Sequence, residues 1–224
     1  MGFRESAIHL ARELRVPVVD ARPTAGAVVY LCVNDDAIAA LLTELDERLP
    51  AGAAIVHASG TASLPLLERP TGVLWPVQSI TADVEPDWTS LPFVTQASGT
   101  AFAKTLHDVA ASLSAAAPTA VADDATRQRL HLGACFTQNF TNLLWDLTAE
   151  VLADAKLDYR SLLPLAANHI EKLRTAPPSA LQTGPAARGD DTTIVRHLEA
   201  LLPHADAHEV YARLSAMIER RRTR

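Results

Sequence analysis

The stretch VVYLCVNDDAIAALLTELDERLPAGAAIVH, residues 28–57, places a helical segment between two runs of β-prone residues. Val28 to Val33 is an unbroken apolar run, as expected of a parallel strand that is buried on both faces of a sheet. Ala37 to Leu49 follows as a helical segment, and Ala53 to His57 is a second short apolar run. The stretch therefore predicts a strand, a helix and a strand, the repeating unit of an α/β sheet.

The same alternation continues on both sides of this unit. Before it, the pattern predicts a helix over Glu5 to Arg15 and a short strand over Val16 to Val19. After it, we predict a short helix near Ser63 to Glu68. The remaining elements of this half are the strands Gly72 to Val77, Leu91 to Gln96 and Pro118 to Val121, the loop Val84 to Pro92 and the helix Thr100 to Ala116. We expect one α/β domain over residues 1–122, with parallel strands.

Beyond residue 122 the sequence predicts helices and no strand, so we expect a second, all-helical domain over residues 123–224. No Gly/Ser-rich linker separates the two halves, which we therefore expect to pack together. The predicted helices are the long central helix that Asp123 and Asp124 can cap, and then Tyr159 to Arg174, Thr192 to Leu202 and His208 to Arg222.

The central helix contains LHLGACFTQNFTNLLW, residues 130–145, which is two-sided on a helical wheel. Its apolar arc comprises Leu132, Phe136, Phe140, Leu143, Leu144, Leu147 and Val151. Its opposite arc carries uncharged polar groups, namely His131, Cys135, Gln138, Asn139 and Asn142. Such groups are costly to bury unpaired, so this face should meet a cleft, a ligand, another subunit or a satisfied helix–helix interface.

Composition excludes several classes of protein. A net charge of -6 argues against general binding of nucleic acid. No apolar run approaches the roughly 20 residues that span a bilayer. Two cysteines, Cys32 and Cys135, form no disulfide framework and fit a reducing compartment, so we expect a cytoplasmic location. The histidines of the second half lack the spacing of metal ligands, and we assign no metal.

The carboxyl ends of parallel strands are where α/β sheets bind ligands, and here these ends are polar. Asn34-Asp35, His57 with Ser59-Gly60, and Gln78 follow three predicted strands. An imidazole at His57 has a reference pKa suited to proton transfer, although a strand-end histidine bonded to nearby backbone is the plainer interpretation. Ser59-Gly60 can offer a hydroxyl and backbone N–H groups to a ligand, or form an ordinary turn.

Five segments, in this order, resemble a known family. They are Val33 to Ile38, His57 to Gly60, Trp75 to Gln78, Leu130 to Leu132 with Asn139 to Asn142, and Gln182 to Asp190. The sequence is similar to Rossmann-like oxidoreductases with an all-helical C-terminal domain of unassigned function. These are relatives of pyrroline-5-carboxylate reductase and of the 6-phosphogluconate and β-hydroxyacid dehydrogenases. The resemblance implies NADP or NAD as cofactor and a small polar substrate.

The predicted site follows from these segments. We assign catalytic roles to His57, Ser59 and Asn139, cofactor contacts to Asn34, Asp35 and Gly60, and substrate contacts to Gln78, His131, Asn142, Thr183, Arg188 and Asp190. Arg188 can clamp a carboxylate or phosphate, or pair with Asp190 to order its own loop. We expect the strand ends and the polar face of the central helix to line one cleft. The lysine that β-hydroxyacid dehydrogenases place one turn after an asparagine has no counterpart after Asn139.

The sequence departs from the resemblance at its start. Such proteins open with a strand and a G-x-G-x-x-G turn that holds the pyrophosphate, and residues 1–224 contain no such turn. We therefore expect a unit of roughly 30 residues to be missing, one side of the strand Val28 to Val33 to be unpaired, and NADPH binding to be weak or absent. The function hypotheses are a nicotinamide-dependent oxidoreductase and a non-catalytic ligand-binding or assembly module. A homodimer through the helices is expected.

Overall fold

The computed structural model describes residues 23–79, 87 and 89–222. The predicted helix Glu5 to Arg15, the predicted strand Val16 to Val19 and part of the predicted loop Val84 to Pro92 lie outside the described residues. The chain divides into two compact units, the first ending at Ala134 and the second running from Cys135 to Arg224. The first helix after residue 122 is therefore part of the first unit, whereas the proposed domain boundary at 122 and the role of each domain stay predictions.

Within the described residues, the first unit contains a five-stranded sheet whose strand order follows the chain, β1-β2-β3-β4-β5. Its elements are β1 Val28–Leu31, α1 Asp35–Arg48, β2 Ala54–His57, β3 Thr71–Pro76, β4 Phe93–Ala97, α2 Thr100–Leu113, β5 Thr119–Ala120 and α3 Asp124–Ala134. Strands β1, β2 and β3 run parallel, with Val29 beside Ile55 and His57 beside Val73. Their carboxyl ends therefore lie at one edge of the sheet, which confirms the predicted α/β class.

Strand β4 corrects the expectation that all strands are parallel, because it pairs antiparallel with β3. Strand β5 is parallel to β4, and the helix α2 connects the two. Antiparallel neighbours need no helical crossover, whereas parallel neighbours do.

The segment Ser63 to Glu68 is not a helix, contrary to the prediction. Pro65 has no N–H group and restricts the residue before it to extended conformations. The polar backbone groups of this segment bond to other elements instead. The Leu64 N–H donates to the Asp124 carboxylate at 3.1 Å, and the Pro65 carbonyl accepts from the Thr71 hydroxyl at 2.7 Å. These contacts satisfy the backbone without an intrahelical ladder.

Apolar side chains cover both faces of the sheet. On one face, Ile55 packs with Ile38 and Leu42 of α1. On the other, Val56 packs with Leu106 and further residues of α2. Successive strand residues point to opposite faces, so a strand that is buried on both sides is mostly apolar, as β2 is at Ala54, Ile55 and Val56. Burial of this kind explains why the short apolar runs were recognisable as strands.

Strand β1 is the outer strand of the sheet within the described residues, where it pairs with β2 alone. Two of its side chains, Val28 and Tyr30, are exposed. An apolar edge of this kind favours pairing with a further strand or chain.

The second unit is helical, and its described part, residues 135–222, contains no strand, as predicted. It begins with a π-helical turn, Cys135–Asn139, and continues with α4 Phe140–Ala153, a 3-10 turn Tyr159–Leu162, α5 Leu163–Leu173, a 3-10 turn Pro178–Leu181, α6 Pro185–Arg188, α7 Asp191–Ala200 and α8 Ala205–Arg222. None of the helices in the described part of the chain is long and apolar enough to cross a membrane.

The π-helical turn corrects the two-arc description of the central helix. A π-turn uses i→i+5 hydrogen bonds, so one α-helical wheel does not describe the residues on both of its sides. The apolar arc is also not a buried face: the exposed fractions are 62% for Phe136, 49% for Phe140 and 48% for Leu143, while Leu147 is buried. Phe136 and Phe140 pack edge to face with ring centroids 5.1 Å apart. Most of this arc is therefore apolar surface.

Candidate functional site

His57 is the last residue of β2 and is almost fully buried, with 1% of its surface exposed. Its Nδ1 accepts a hydrogen bond from the Ser59 N–H at 3.2 Å, so the neutral ring carries its proton on Nε2. Nε2 has no hydrogen bond of ordinary geometry within the described residues. Burial and the Arg127 guanidinium lower the pKa of His57 to about 4, outweighing the carboxylates of Asp35 and Asp124. This pKa lies well below the near-neutral reference value on which a proton-transfer role for His57 was based.

Ser59 forms the turn that follows the strand. Its Oγ accepts hydrogen bonds from the Thr61 N–H at 3.0 Å and the Ala62 N–H at 2.9 Å. Side-chain oxygens of this kind often replace backbone partners in tight turns. Ser59 is buried, and its hydroxyl is engaged in holding the loop. The geometry therefore favours the turn interpretation of Ser59-Gly60.

Gly60 lies where the loop passes against two rings. A Cβ at this position would stand 2.7 Å from the His131 Cδ2 and 2.8 Å from the Trp75 Cε2, closer than side chains tolerate. The two rings themselves lie 5.5 Å apart between centroids, at a tilt of 44°. Glycine is therefore required here by the close approach of the backbone to His131 and Trp75.

Arg127, which was not predicted from the sequence as a site residue, stabilises the loop that contains Gly60. Its side chain is fully buried, and its guanidinium donates to the Gly60 carbonyl at 3.3 Å and to the Ala62 carbonyl. It also donates to Gln96 Oε1 and to the Asp124 carboxylate, the latter at 3.0 Å. A planar group with five N–H donors can serve several acceptors at once, which a lysine cannot do in this geometry.

Asp124 and Gln96 complete this support. The Asp124 carboxylate accepts from the Gln96 amide at 3.0 Å as well as from the Leu64 N–H and Arg127. Arg127 stands three residues after Asp124, which is the ordinary spacing of a surface ion pair on a helix. Nothing in the sequence pattern separates this buried pair from an exposed one, which is why it was not predicted. We call Arg127, Asp124 and Gln96 the arginine network.

Asp35, the first residue of α1, faces the loop from the end of β1. Its carboxylate accepts a hydrogen bond from the Thr61 hydroxyl. Partial burial favours a higher pKa, but the hydrogen bonds from Thr61 and Ser59 and the nearby imidazoles of His57 and His131 lower the pKa of Asp35 below its ordinary value. Its side chain is nevertheless exposed, so an ionised carboxylate is available to a ligand at this edge of the sheet.

Two further predicted residues lie at the same edge. Asn34 is the N-cap residue of α1, and its exposed side chain makes no capping hydrogen bond. Gln78 follows the end of β3 and is also exposed. Their amide groups can each donate and accept hydrogen bonds. They extend the polar surface on both sides of the loop.

The structure thus brings five predicted residues together within the first unit. We call them, with Thr61, the strand-end cluster: Asp35, His57, Ser59, Gly60, Thr61 and His131. Asp35 and Thr61 are exposed and His131 is half-buried, whereas His57, Ser59 and Gly60 are buried. The buried members shape the loop, and the others can meet a ligand.

The second unit holds the remaining predicted residues. Asn139 ends the π-helical turn, and Asn142 on α4 lines a cavity of about 340 Å³. Asp190 caps α7 by accepting from the Thr193 N–H at 3.1 Å, and Arg188 lies 3.8 Å from the Asp190 carboxylate. Arg188 and Asp190 are thus close enough for an ion pair within this loop, and the choice between the two interpretations of Arg188 stays a prediction. Thr183 is exposed in this loop. A common cleft with the strand ends stays a prediction.

The donor set of the strand-end cluster fits one part of a nicotinamide dinucleotide. Asp35 offers a carboxylate to ribose hydroxyls or to an amide N–H, and Asn34 offers an amide. A pyrophosphate would need cations or free helix N–H groups, whereas α1 begins with two carboxylates, Asp35 and Asp36. These residues therefore fit the nicotinamide riboside part of a dinucleotide, and they do not fit the phosphates of the dinucleotide. In the described part of the chain, no group of His, Cys, Asp and Glu is arranged to hold a metal ion.

Comparison with known proteins places this geometry in a family. Residues 91–218 match the family model described as a domain of unknown function, DUF2520. A crystal structure of a candidate NADP oxidoreductase from Bacteroides fragilis is 32% identical, with a TM-score of 0.82, and the match covers 96% of this chain and 85% of that one. No curated protein sequence matches.

More distant structures share the fold. A protein from Thermotoga maritima is 17% identical with a TM-score of 0.68, over 98% of this chain and 87% of that one. An imine reductase from Myxococcus stipitatus in complex with NADP+ is 13% identical with a TM-score of 0.60, over 97% of this chain and 83% of that one. The fold, the family model and the Bacteroides relative agree: the chain has a Rossmann-like fold and belongs to the DUF2520 family.

Proposed function

We propose that this protein is an NADP- or NAD-dependent oxidoreductase that acts on a small polar substrate. The observation that carries the proposal is the strand-end cluster, which gathers polar groups at the sheet edge where Rossmann-like folds bind dinucleotides. The similarity to the Bacteroides fragilis candidate NADP oxidoreductase supports the choice of cofactor. The relation to pyrroline-5-carboxylate reductase and to the 6-phosphogluconate dehydrogenases is part of the proposal.

In this proposal the exposed groups hold the cofactor. Asp35 accepts hydrogen bonds from the ribose hydroxyls of the nicotinamide half, and Asn34 binds beside it. Gly60, the third predicted cofactor contact, is buried and shapes the loop that carries these groups. When bound, the cofactor supplies or accepts the hydride. The lowered pKa of Asp35 keeps its carboxylate ionised at neutral pH and therefore ready to accept hydrogen bonds.

The buried groups position the loop rather than transfer protons. His57 is neutral at pH 7, because its pKa lies near 4, and it anchors the Ser59 backbone. His131 and Gln78 are the proposed substrate contacts of this unit, since both can reach a ligand that lies beyond the strand ends. Asn139, Asn142, Thr183, Arg188 and Asp190 stay predicted contacts in the second unit, where Arg188 lies close to the Asp190 carboxylate.

One observation favours the second function, a non-catalytic ligand-binding or assembly module. The cluster offers acceptors for hydroxyl groups but no cation for phosphates, and residues 1–224 contain no G-x-G-x-x-G turn. Both functions predict a ligand at the cluster, and only the first predicts turnover.

A titration distinguishes them. NADPH fluorescence is followed as the 224-residue chain is added, and oxidation of NADPH is then recorded with a panel of small carbonyl and imine compounds. We expect a dissociation constant for NADPH above about 1 μM, the value that corresponds to a binding free energy of about 8 kcal/mol. The reason is that the strand-end cluster offers no group that binds the phosphates. Binding with turnover of any compound supports the oxidoreductase. Binding without turnover favours the module, and no binding at millimolar NADPH contradicts the cofactor proposal.

We also propose that the second unit forms a homodimer. The apolar arc of Phe136, Phe140 and Leu143 is about half exposed, and further large apolar side chains of α5 are exposed, among them Leu165 and Ile170. Apolar side chains exposed in this number favour an interaction surface, and two identical surfaces related by a two-fold axis can cover each other.

A further inference from the structure

A cavity in the second unit is lined by one face of α4. Asn142, Trp145, Asp146 and Ala149 follow the i, i+3, i+4, i+7 spacing that places side chains on a single helical stripe. Tyr159, from the 3-10 turn, and Leu163, at the start of α5, complete a lining around about 340 Å³. The small side chain of Ala149 leaves room between the larger ones. Of the residues in this stripe, the sequence predicted only Asn142 as a site residue.

Two aromatic rings form one wall of this cavity. The ring centroids of Trp145 and Tyr159 lie 6.1 Å apart, with the planes inclined by 55°. The Arg160 guanidinium stands 4.9 Å from the centroid of the Tyr159 ring, so this ring already binds a cation within the chain. Arg160 pairs with Asp158 at 3.2 Å and does not line the cavity.

The charge of the lining is negative. Asp146 is its single ionisable side chain besides the phenol of Tyr159, and within the described residues its carboxylate makes no hydrogen bond or ion pair. The amide of Asn142 likewise has no partner there. A carboxylate beside two inclined rings is an arrangement that attracts a positive charge from two sides, through the ring faces and through the anion.

We propose that this cavity binds a small organic cation, such as an alkylammonium ion. The aromatic faces hold the hydrocarbon and the positive charge together, and Asp146 neutralises the charge. A neutral molecule would make no ion pair with Asp146. A metal ion would have a single carboxylate in this cavity and too few oxygen ligands to complete its coordination. The site lies wholly within the second unit and needs no dinucleotide, so it is independent of the proposed function.

The test uses the full chain and tetramethylammonium chloride as the probe. Binding is measured by titration calorimetry and by tryptophan fluorescence, at an ionic strength held constant with sodium chloride. The neutral molecule of similar size is tert-butanol. We expect saturable binding of tetramethylammonium and none of tert-butanol. D146N should weaken binding about tenfold, and Y159L, which keeps an apolar wall, should weaken it severalfold. D36N, at an exposed carboxylate of the first unit, is the matched control and should bind as the parent does.

Circular dichroism establishes that each variant is folded, and the exposure of Asp146 makes D146N a mild change. Equal affinity of D146N and the parent would overturn the proposal. So would equal binding of tert-butanol, or the absence of saturable tetramethylammonium binding to the folded parent chain.

Discussion

Replacing Arg127 by methionine should destabilise the first unit by removing the support of its ligand-facing loop. Arg127 is fully buried and donates to two loop carbonyls, to Gln96 and to Asp124. Methionine fills a similar volume and offers no donor. The variant therefore leaves the carbonyls of Gly60 and Ala62 and the amide oxygen of Gln96 without their partner, and it leaves the Asp124 carboxylate without its cation.

The expected cost is about 3 kcal/mol in the free energy of unfolding. Breaking a buried ion pair by removing one partner costs about 3–5 kcal/mol. The lower end applies because the Asp124 side chain is 31% exposed and water can solvate it. Asp124 also keeps its hydrogen bonds from Leu64 and Gln96, and the apolar methionine recovers part of the loss. A typical domain is stable by about 5–15 kcal/mol, so the variant should still fold.

Urea denaturation followed by tryptophan fluorescence measures this difference, with the two units analysed as separate transitions if they do not coincide. A loss of about 3 kcal/mol should lower the urea midpoint by at least about 1 M. The matched control is R129M, two residues further along α3 at an exposed position, which should change stability by less than about 0.5 kcal/mol. A cost for R127M below about 1 kcal/mol would refute the role assigned to the arginine network.

Three further predictions concern single features of the two units. G60A should lower the free energy of unfolding, measured by urea denaturation, by about 1–3 kcal/mol, because the added Cβ would overlap the rings of His131 and Trp75. An unchanged urea midpoint would show that the loop can move to accommodate the methyl group. The hydrogen bonds that His204 donates to the carboxylates of Glu150 and Asp154 raise its pKa, so its contribution to stability should be full below the unfolded value of about 6.5 and should fall as pH rises through the folded pKa. The difference in stability between the parent and H204Q should therefore shrink with rising pH, and a pH-independent difference would contradict this prediction. Sedimentation at micromolar concentration should find a dimer that F140A weakens, whereas only a 24.0 kDa species for the parent would reject the dimer.

The strands of the first unit could be predicted because burial on both faces leaves a direct trace in the sequence. β2 is apolar at three successive positions and ends in a histidine, and the strand was found within one residue at its start. Chain direction leaves no such trace, because a buried strand has the same composition whether it runs parallel or antiparallel. The antiparallel orientation of β4 could therefore not be predicted from the hydrophobic pattern of the sequence.

The candidate site was predictable in part for the same reason. The rule that ligands bind beyond the carboxyl ends of strands selected Asp35, His57 and Gly60, and the structure brings them together. The support beneath them was missed, because Arg127 acts through contacts with residues more than sixty positions away in the chain. The π-helical turn was not predicted, because one extra residue in a turn rotates the side chains that follow it around the helix axis without changing the composition of the sequence.

The most direct test of the central claim, that the strand-end cluster binds the nicotinamide half of a dinucleotide, compares two ligands on two variants. Reduced nicotinamide mononucleotide keeps the nicotinamide riboside and lacks the adenylate half of NADPH. Fluorescence titration should give the two ligands dissociation constants within about tenfold of each other. D35N should weaken both by about tenfold or more, as loss of a charge-assisted hydrogen bond predicts, while D36N should not. Tight NADPH binding that D35N leaves unchanged, with no binding of the mononucleotide, would contradict the claim.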